Sequence, residues 1–97
     1  MKLTIEVIAI EGKCPVYEMG DRIVLDEGYK VNLQETDHLC MHSLASLLPC
    51  FNSLAKGISP VELGLAKKGD SAYIQCLDPQ KYTGGGTVTF KISRGPD

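Results

Sequence analysis

The chain has 97 residues, a hydrophobic fraction of 43%, and ten basic against twelve acidic residues, which gives a net charge of -2. This length suffices for one small domain with a single core, so we expect one domain over residues 1–97. The charges of both signs are scattered, without the basic block typical of nucleic-acid binding, so no nucleic-acid partner is expected.

The start of the chain indicates a cytoplasmic protein, because Glu6 interrupts the apolar run that a secretory signal would need. Residues 39–55 carry almost no charge, but His42, Pro49 and three serines favour a buried helix over a membrane span, and no membrane partner is expected. The four cysteines of a cytoplasmic protein are expected to be reduced. Metal binding, redox chemistry or simple burial are therefore favoured over a structural disulfide.

Alternating apolar residues predict a half-buried first strand over residues 2–10. Its inner face is predicted to hold Leu3, Ile5, Val7 and Ala9. A second strand is predicted over residues 22–25, then a hairpin turn at residues 26–28 and a third strand over residues 29–33. Two further strands are predicted, over residues 71–76 and 87–93. Their inner faces are predicted to hold Ala72, Ile74 and Cys76 in one, and Val88, Phe90 and Ile92 in the other.

Residues 36–57 have the apolar period of a long amphipathic helix. Thr36 or Asp37 is the candidate N-cap and Gly57 the candidate C-cap, which predicts a helix over residues 37–56. Pro49 predicts a kink or a restart near residues 48–50. The core-facing stripe is predicted to contain Met41, Leu44, Leu47, Leu48, Phe51, Leu54 and Ala55, with Cys40 on the same side and His38 and His42 on the opposite side.

These elements together predict an α+β domain: an antiparallel sheet of four to five strands with one main amphipathic helix packed on one face. Residues 58–66 are predicted to form a short turn or loop. The three glycines Gly84-Gly85-Gly86 permit positive φ or a close approach of the backbone to another group. Because they lead into a strand and not into a helix, a hairpin loop is favoured over an anion site.

The cysteines Cys14, Cys40, Cys50 and Cys76 lack the spacings of zinc fingers, haem attachment sites and ferredoxins. In one continuous helix Cys40 and Cys50 would lie about 15 Å apart and about 80° from each other, so one metal ion cannot bind both. A shared metal site is predicted instead at Cys14, Cys40 and Cys76, with zinc or iron as candidate ions for soft thiolate ligands. A helix start would favour a thiolate at Cys40, whereas burial in the apolar stripe would favour an inert thiol.

Other candidate groups near the cysteines are predicted to be less important. His38 and His42 lack the glutamate of a catalytic zinc helix and are predicted to be solvated. A Cys–His nucleophilic pair is disfavoured because on one helix His42 projects about 160° from Cys40. Asp78 could orient or protonate a group beside Cys76, although an aspartate before a proline typically forms a turn.

Three motifs carry a resemblance to a known family. They read Gly12-Lys13-Cys14-Pro15, then Cys40 followed by Leu48-Pro49, then Cys76-Leu77-Asp78-Pro79. In these motifs the chain resembles a family of small uncharacterised single-domain proteins of similar length, found mostly in anaerobic bacteria and archaea. Members typically read Cys-Pro-x-Gly-His in the first motif and Cys-Pro-Asp-Pro in the last. This sequence departs from both, because the three residues after Pro15, Val16-Tyr17-Glu18, contain no histidine and Leu77 replaces a proline. The resemblance implies a shared site at Cys14, Cys40 and Cys76, leaves Cys50 outside it, and implies no reaction.

Two alternatives to a metal site stay open at this point, and the sequence does not decide whether the protein is an enzyme. One is a protein-interaction or accessory module whose cysteines are buried and inert and whose partner is another protein. The other is a thiol redox protein with Cys40 as nucleophile and Cys14 or Cys76 as resolving cysteine.

Overall fold

A computed structural model describes residues 1–97 and contains one five-stranded antiparallel sheet with three short helices. The strands are β1 (Lys2–Gly12), β2 (Arg22–Asp26), β3 (Lys30–Val31), β4 (Ala72–Gln75) and β5 (Gly86–Gly95), in the spatial order β3-β2-β1-β5-β4. The helices are α1 (Met41–Leu47), α2 (Phe51–Ala55) and α3 (Gln80–Thr83). The predicted α+β class with an antiparallel sheet of four to five strands is confirmed.

The core lies on one face of the central strand pair, β1 and β5. The alternating residues predicted to face inward there are buried, except Ala9, and they pack with one leucine from each of α1 and α2. These buried residues are Leu3, Ile5, Val7, Val88, Phe90, Ile92, Leu47 and Leu54. The period-two pattern of the two strands therefore selects the face that the helices cover.

The inward position predicted for Ala9 is wrong. The register between β1 and β5 shifts between Val7 and Ala9, which marks a β-bulge. Because one extra residue reverses the alternation of side chains, Ala9 is exposed and Ile10 packs against the core instead.

The predicted helix over residues 37–56 is two helices, and the break falls at residues 48–50, where Pro49 predicts a restart. Helix α1 begins only at Met41, because the two candidate caps bond to the sheet. Thr36 Oγ1 accepts a hydrogen bond from the Val24 amide at 3.0 Å, and Asp37 Oδ2 accepts one from the Arg22 amide at 2.8 Å. No helix is long and apolar enough to cross a membrane.

The break also changes which residues of the predicted stripe are buried. Leu47 and Leu54 are buried, whereas Met41 and Leu48 are 73% and 57% exposed. Met41 is the first residue of α1 and Leu48 is its C-cap, so both lie at the ends of the helix and outside its buried face. The stripe prediction is therefore wrong for these two residues.

Arg94 fastens the end of β5 to α2 and to the turns that follow. Its Nη1 donates to the carbonyls of Leu54 at 3.1 Å and Ile58 at 2.8 Å, and its Nη2 bonds to the Asp70 carboxylate. Residues 58–66 contain only turns and irregular structure, as predicted.

Candidate functional site

A cavity of about 150 Å³ lies at one end of the sheet, and Cys14, Cys40 and Cys76 all line it. The three residues come from the loop after β1, the residue before α1 and the residue after β4. Cys50 does not line this cavity. The structure thus brings together the three cysteines that were predicted to share a site and leaves the fourth apart.

Cys14 lies in a tight turn that directs backbone amides at its sulfur. Its Sγ accepts hydrogen bonds from the amides of Val16 at 3.4 Å and Tyr17 at 3.3 Å. Pro15, which has no amide hydrogen, lies between Cys14 and Val16. These two hydrogen bonds fix the position of the Cys14 sulfur at the cavity.

The turn at Cys14 packs directly on the glycine loop before β5. The Lys13 amide donates to the Gly85 carbonyl at 3.0 Å. A Cβ atom on Gly86 would lie 2.6 Å from the Cys14 nitrogen and 2.7 Å from the Lys13 carbonyl carbon. Gly84, with φ of 74°, ends α3 in the left-handed conformation. Both roles predicted for the glycines, positive φ and a close backbone approach, are confirmed, although residues 80–83 form a helical turn that was not predicted.

Cys76 is buried at the end of β4 and bonds to the first residues of β5. Its Sγ accepts a hydrogen bond from the Val88 amide at 3.3 Å and donates one to the Gly86 carbonyl at 3.6 Å. Its own amide donates to the Val88 carbonyl at 2.9 Å. Gly86, which leaves room for the Cys14 turn because it has no side chain, therefore also contacts Cys76.

Cys40 is held at the cavity by a ring of three hydrogen bonds. Its amide donates to the Tyr17 hydroxyl at 2.8 Å, and its carbonyl accepts from Ser43 Oγ at 2.7 Å. The Tyr17 and Ser43 oxygens are 2.6 Å apart. Because Ser43 donates to the Cys40 carbonyl, Tyr17 must donate to Ser43, so every polar group of the ring is satisfied.

Tyr17 is the buried support between the Cys14 turn and Cys40. Its side chain is 4% exposed, and its ring packs edge-on against Phe90 with centroids 5.3 Å apart. Burial raises the pKa of the Tyr17 hydroxyl above its ordinary value, and the hydrogen bond with Ser43 opposes part of that effect. The hydroxyl is therefore a neutral positioning group at ordinary pH. The sequence offered no motif that would have singled it out.

His42 lines the same cavity as Cys40. His42 is exposed and Cys40 packs against the core, as predicted, but the predicted angle of about 160° between them assumed one helix running through both residues. Cys40 instead precedes α1 in an extended conformation, with φ of -97° and ψ of 139°, so the helical rotation between the two positions does not apply. No sequence signal could reveal this, because it depends on where the helix starts.

Asp78 also lines the cavity, and it forms a turn as well. Its carboxylate accepts a hydrogen bond from Thr83 Oγ1 and its carbonyl accepts one from Thr87 Oγ1 at 2.6 Å. The sequence predicted either a turn former or a partner of Cys76. The hydrogen bonds of Asp78 are those of a turn former placed at the edge of the cavity.

Cys50 is a packing residue. It is buried at the start of α2, and its Sγ donates to the Leu47 carbonyl at 3.5 Å. Burial raises the pKa of the Cys50 thiol. A protonated thiol is a poor ligand and a poor nucleophile, so burial suits Cys50 to packing.

The cavity combines thiol, imidazole and carboxylate groups, which are the donors that zinc and iron bind in proteins. All four cysteines are free thiols, and no group of three or more His, Cys, Asp or Glu side chains is arranged to hold a metal ion. The donor set fits a soft metal in kind. Ligation would require the side chains to turn toward a common point, away from the arrangement in the structure.

No family model, curated protein or solved structure matches the chain. The resemblance to a family of small single-domain proteins stays a prediction, and the function is inferred from the cavity.

Proposed function

We propose that the protein binds one soft metal ion, zinc or iron, through the thiolates of Cys14, Cys40 and Cys76. The observation that carries the proposal is that these three cysteines, from distant parts of the chain, all line one cavity of about 150 Å³. Thiolates are the ligands that such ions prefer over the harder oxygen donors of the surface.

The surroundings of two sulfurs support ligation. Cys14 Sγ accepts hydrogen bonds from two backbone amides, and Cys76 Sγ accepts one from a backbone amide. Amide hydrogen bonds to sulfur stabilise the charge of metal-bound thiolates and orient them. Cys40 lacks such a bond, but its backbone is fixed by Tyr17 and Ser43.

A bound ion would supply a cross-link between three segments: the turn after β1, the start of α1 and the end of β4. The chain itself binds and orients the ion and limits its contact with water, because the cavity walls are mainly apolar. We place this activity in the cytoplasm, where thiols stay reduced. A protein partner for the site stays a prediction.

Thiol redox chemistry is the second candidate. It is favoured by one observation: the three cavity cysteines are free and are not arranged as a ligand set. Oxidation of two of them to a disulfide would need an external oxidant such as a peroxide, which takes up the two electrons.

Native mass spectrometry of anaerobically purified protein, compared with the denatured mass of the same sample, tests the metal proposal. We expect a mass excess of one zinc or iron ion in the native spectrum. The excess should be lost in Cys14→Ser and Cys76→Ser, because serine keeps the hydrogen bonds and removes the soft ligand. Cys50→Ala is the matched control and should retain the ion.

A native mass equal to the bare chain after incubation with zinc would overturn the metal proposal. Peptide mapping after mild peroxide treatment would then decide between the alternatives. A reversible disulfide among Cys14, Cys40 and Cys76 would indicate a redox protein. Thiols that react only after unfolding would indicate an interaction module with inert cysteines.

A further inference from the structure

We infer that the free edge of β4 is a docking site for an extended acidic peptide of a protein partner, which would add a strand to the sheet. The inference is independent of the proposed metal site. Two observations carry it: backbone groups of β4 that no other segment pairs, and an open groove beside them that is lined by unpaired lysines.

Strand β4 lies at the edge of the sheet, with β5 as its only neighbour. The Cys76 amide donates to the Val88 carbonyl at 2.9 Å, and such bonds occur at every second residue of an antiparallel ladder. The amides and carbonyls of Tyr73 and Gln75 therefore point away from β5. The Tyr73 amide donates to the Leu65 carbonyl at 2.8 Å, whereas no turn or loop bonds to the backbone of Gln75. Gln75 thus keeps an open donor and an open acceptor at the edge.

An open donor and acceptor on one residue suit an added antiparallel strand, which bonds to both. Gln75 is exposed, and Leu77, two residues further along, is 61% exposed, so this part of the edge is not covered. The other edge strand, β3, has only two residues, and short edge strands resist pairing with another chain. β4 is therefore the edge that can receive a peptide.

Two open grooves lie beside β4, and Tyr73 and Leu65 line both. The first, of about 500 Å³, extends from Gln75 to Ser46 of α1. The second, of about 650 Å³, is lined by Tyr73 and residues 64–68. In strand addition the backbone bonds give affinity, and grooves that accept alternate side chains give specificity. The edge of β4 offers both.

The second groove is basic. Lys67 and Lys68 line it, both are exposed, and neither takes part in an ion pair. Of the acidic residues nearest in sequence, Asp70 is bonded to Arg94, and Glu62 does not line the groove. Two unpaired ammonium groups attract and orient carboxylates, so the charge of the groove selects an acidic peptide.

A fluorescently labelled peptide of about eight residues tests the inference: a Thr-Val repeat with two glutamates at its C-terminal end. Antiparallel pairing places that end beside Tyr73 and the basic groove. In fluorescence anisotropy at physiological salt, Lys67→Glu combined with Lys68→Glu should weaken binding by about tenfold or more, because two attractions become repulsions. Lys13→Glu combined with Lys30→Glu changes the net charge equally outside both grooves and should bind as wild type.

Gln75→Pro tests the backbone bonds. Proline removes the amide at the free edge, and edge strands tolerate proline where the amide lies outside the ladder. Peptide binding should be lost in Gln75→Pro and kept in Gln75→Ala, which retains the amide. A folded Gln75→Pro protein that binds the peptide as wild type does would overturn the inference, and so would a wild-type protein that does not bind the peptide.

The same bonds can be tested from the peptide side with wild-type protein. Two peptides, N-methylated at one or the other set of alternate residues, should differ in affinity by about tenfold or more, because only one set faces β4. Equal binding of the two would contradict strand addition. In analytical ultracentrifugation, a wild-type dimer that the peptide cannot displace and that Gln75→Pro abolishes would identify a second copy as the occupant and overturn the inference.

Discussion

At the scale of single residues, the hydroxyl of Tyr17 links the turn of Cys14 to the backbone of Cys40. Tyr17→Phe should lower the free energy of unfolding by about 1–3 kcal/mol, because it leaves the Cys40 amide and the Ser43 hydroxyl without their buried partner. The packing of the ring on Phe90 is retained. Urea denaturation measures the change.

Tyr29→Phe is the matched control, because its hydroxyl bonds to Glu27 at the surface and its side chain is 69% exposed. It should change stability by less than about 0.5 kcal/mol, as is usual for surface positions. Equal losses in the two variants would contradict the supporting role of Tyr17.

The raised pKa of Cys50 makes a second prediction at this scale. Because the folded-state pKa lies above the unfolded value, the thiol contributes stability below the ordinary cysteine pKa, and that contribution is lost as pH rises through the folded value. In native protein at about pH 8.5, where an ordinary thiol is half ionised, Cys50 should alkylate with iodoacetamide far more slowly than Cys14 and Cys40. Peptide mass spectrometry reports each site. Labelling of Cys50 as fast as that of Cys14 would show that its burial does not protect it.

At the scale of elements, the start of β5 shapes the site more than the helices do. Gly86 pairs with Gly12, and its Cα lies against the turn at Cys14. Its carbonyl accepts a hydrogen bond from Cys76 Sγ. Gly86→Ala should force the Cys14 turn away and cost about 1–3 kcal/mol, the range of overpacked positions. It should also weaken zinc binding.

Gly95→Ala is the control from the other end of the same strand, where an added Cβ meets no atom within 4 Å and φ is not positive. Calorimetric titration with zinc and thermal unfolding compare the two variants. Unchanged zinc affinity in a folded Gly86→Ala protein would show that the Cys14 turn does not depend on this approach.

The elements also show what the sequence could predict. Alternation located β1, β3, β4 and β5, because a half-buried sheet imposes a period of two, whereas β2 was predicted from the turns on either side of it. Pro49 marked the helix break because it removes a backbone donor. The β-bulge after Val7 could not be predicted, because it lies within an apolar run of the sequence. The predicted N-caps were wrong because the side chains of Thr36 and Asp37 bond to amides of β2 instead, and the local sequence cannot distinguish these two roles. The predicted C-terminal glycine is confirmed, because Gly57 follows α2 with a φ of 89°.

The same limit applies to the site. Cys14, Cys40 and Cys76 were grouped by excluding Cys50 on helix geometry, and that grouping is reproduced by the cavity. His42 is exposed as predicted, but the angle between His42 and Cys40 could not be predicted, because it follows from the start of α1. Long-range contacts set that start, among them the Tyr17 hydroxyl that bonds to the Cys40 amide.

At the scale of the whole molecule, the core is small for the length of the chain. Only 19 of 97 residues are buried, and large apolar side chains such as Leu33, Met41 and Tyr82 are exposed. Native domains are stable by only about 5–15 kcal/mol, so a metal cross-link that joins three segments would add noticeably to that margin. A bound ion would therefore contribute a substantial part of the free energy of unfolding.

The proposed site accordingly predicts zinc-dependent stability. At zinc concentrations about 1,000 times Kd, binding should add about 4 kcal/mol, which for a domain of this size raises Tm by more than about 15 °C. Cys14→Ser and Cys76→Ser should lose this rise and unfold near the wild-type Tm in a chelator, whereas Cys50→Ala should lower Tm equally in both conditions and keep the rise. Thermal unfolding followed by circular dichroism measures all four proteins. Serine variants that lose the same stability with zinc as with chelator would mean that the cavity cysteines only pack.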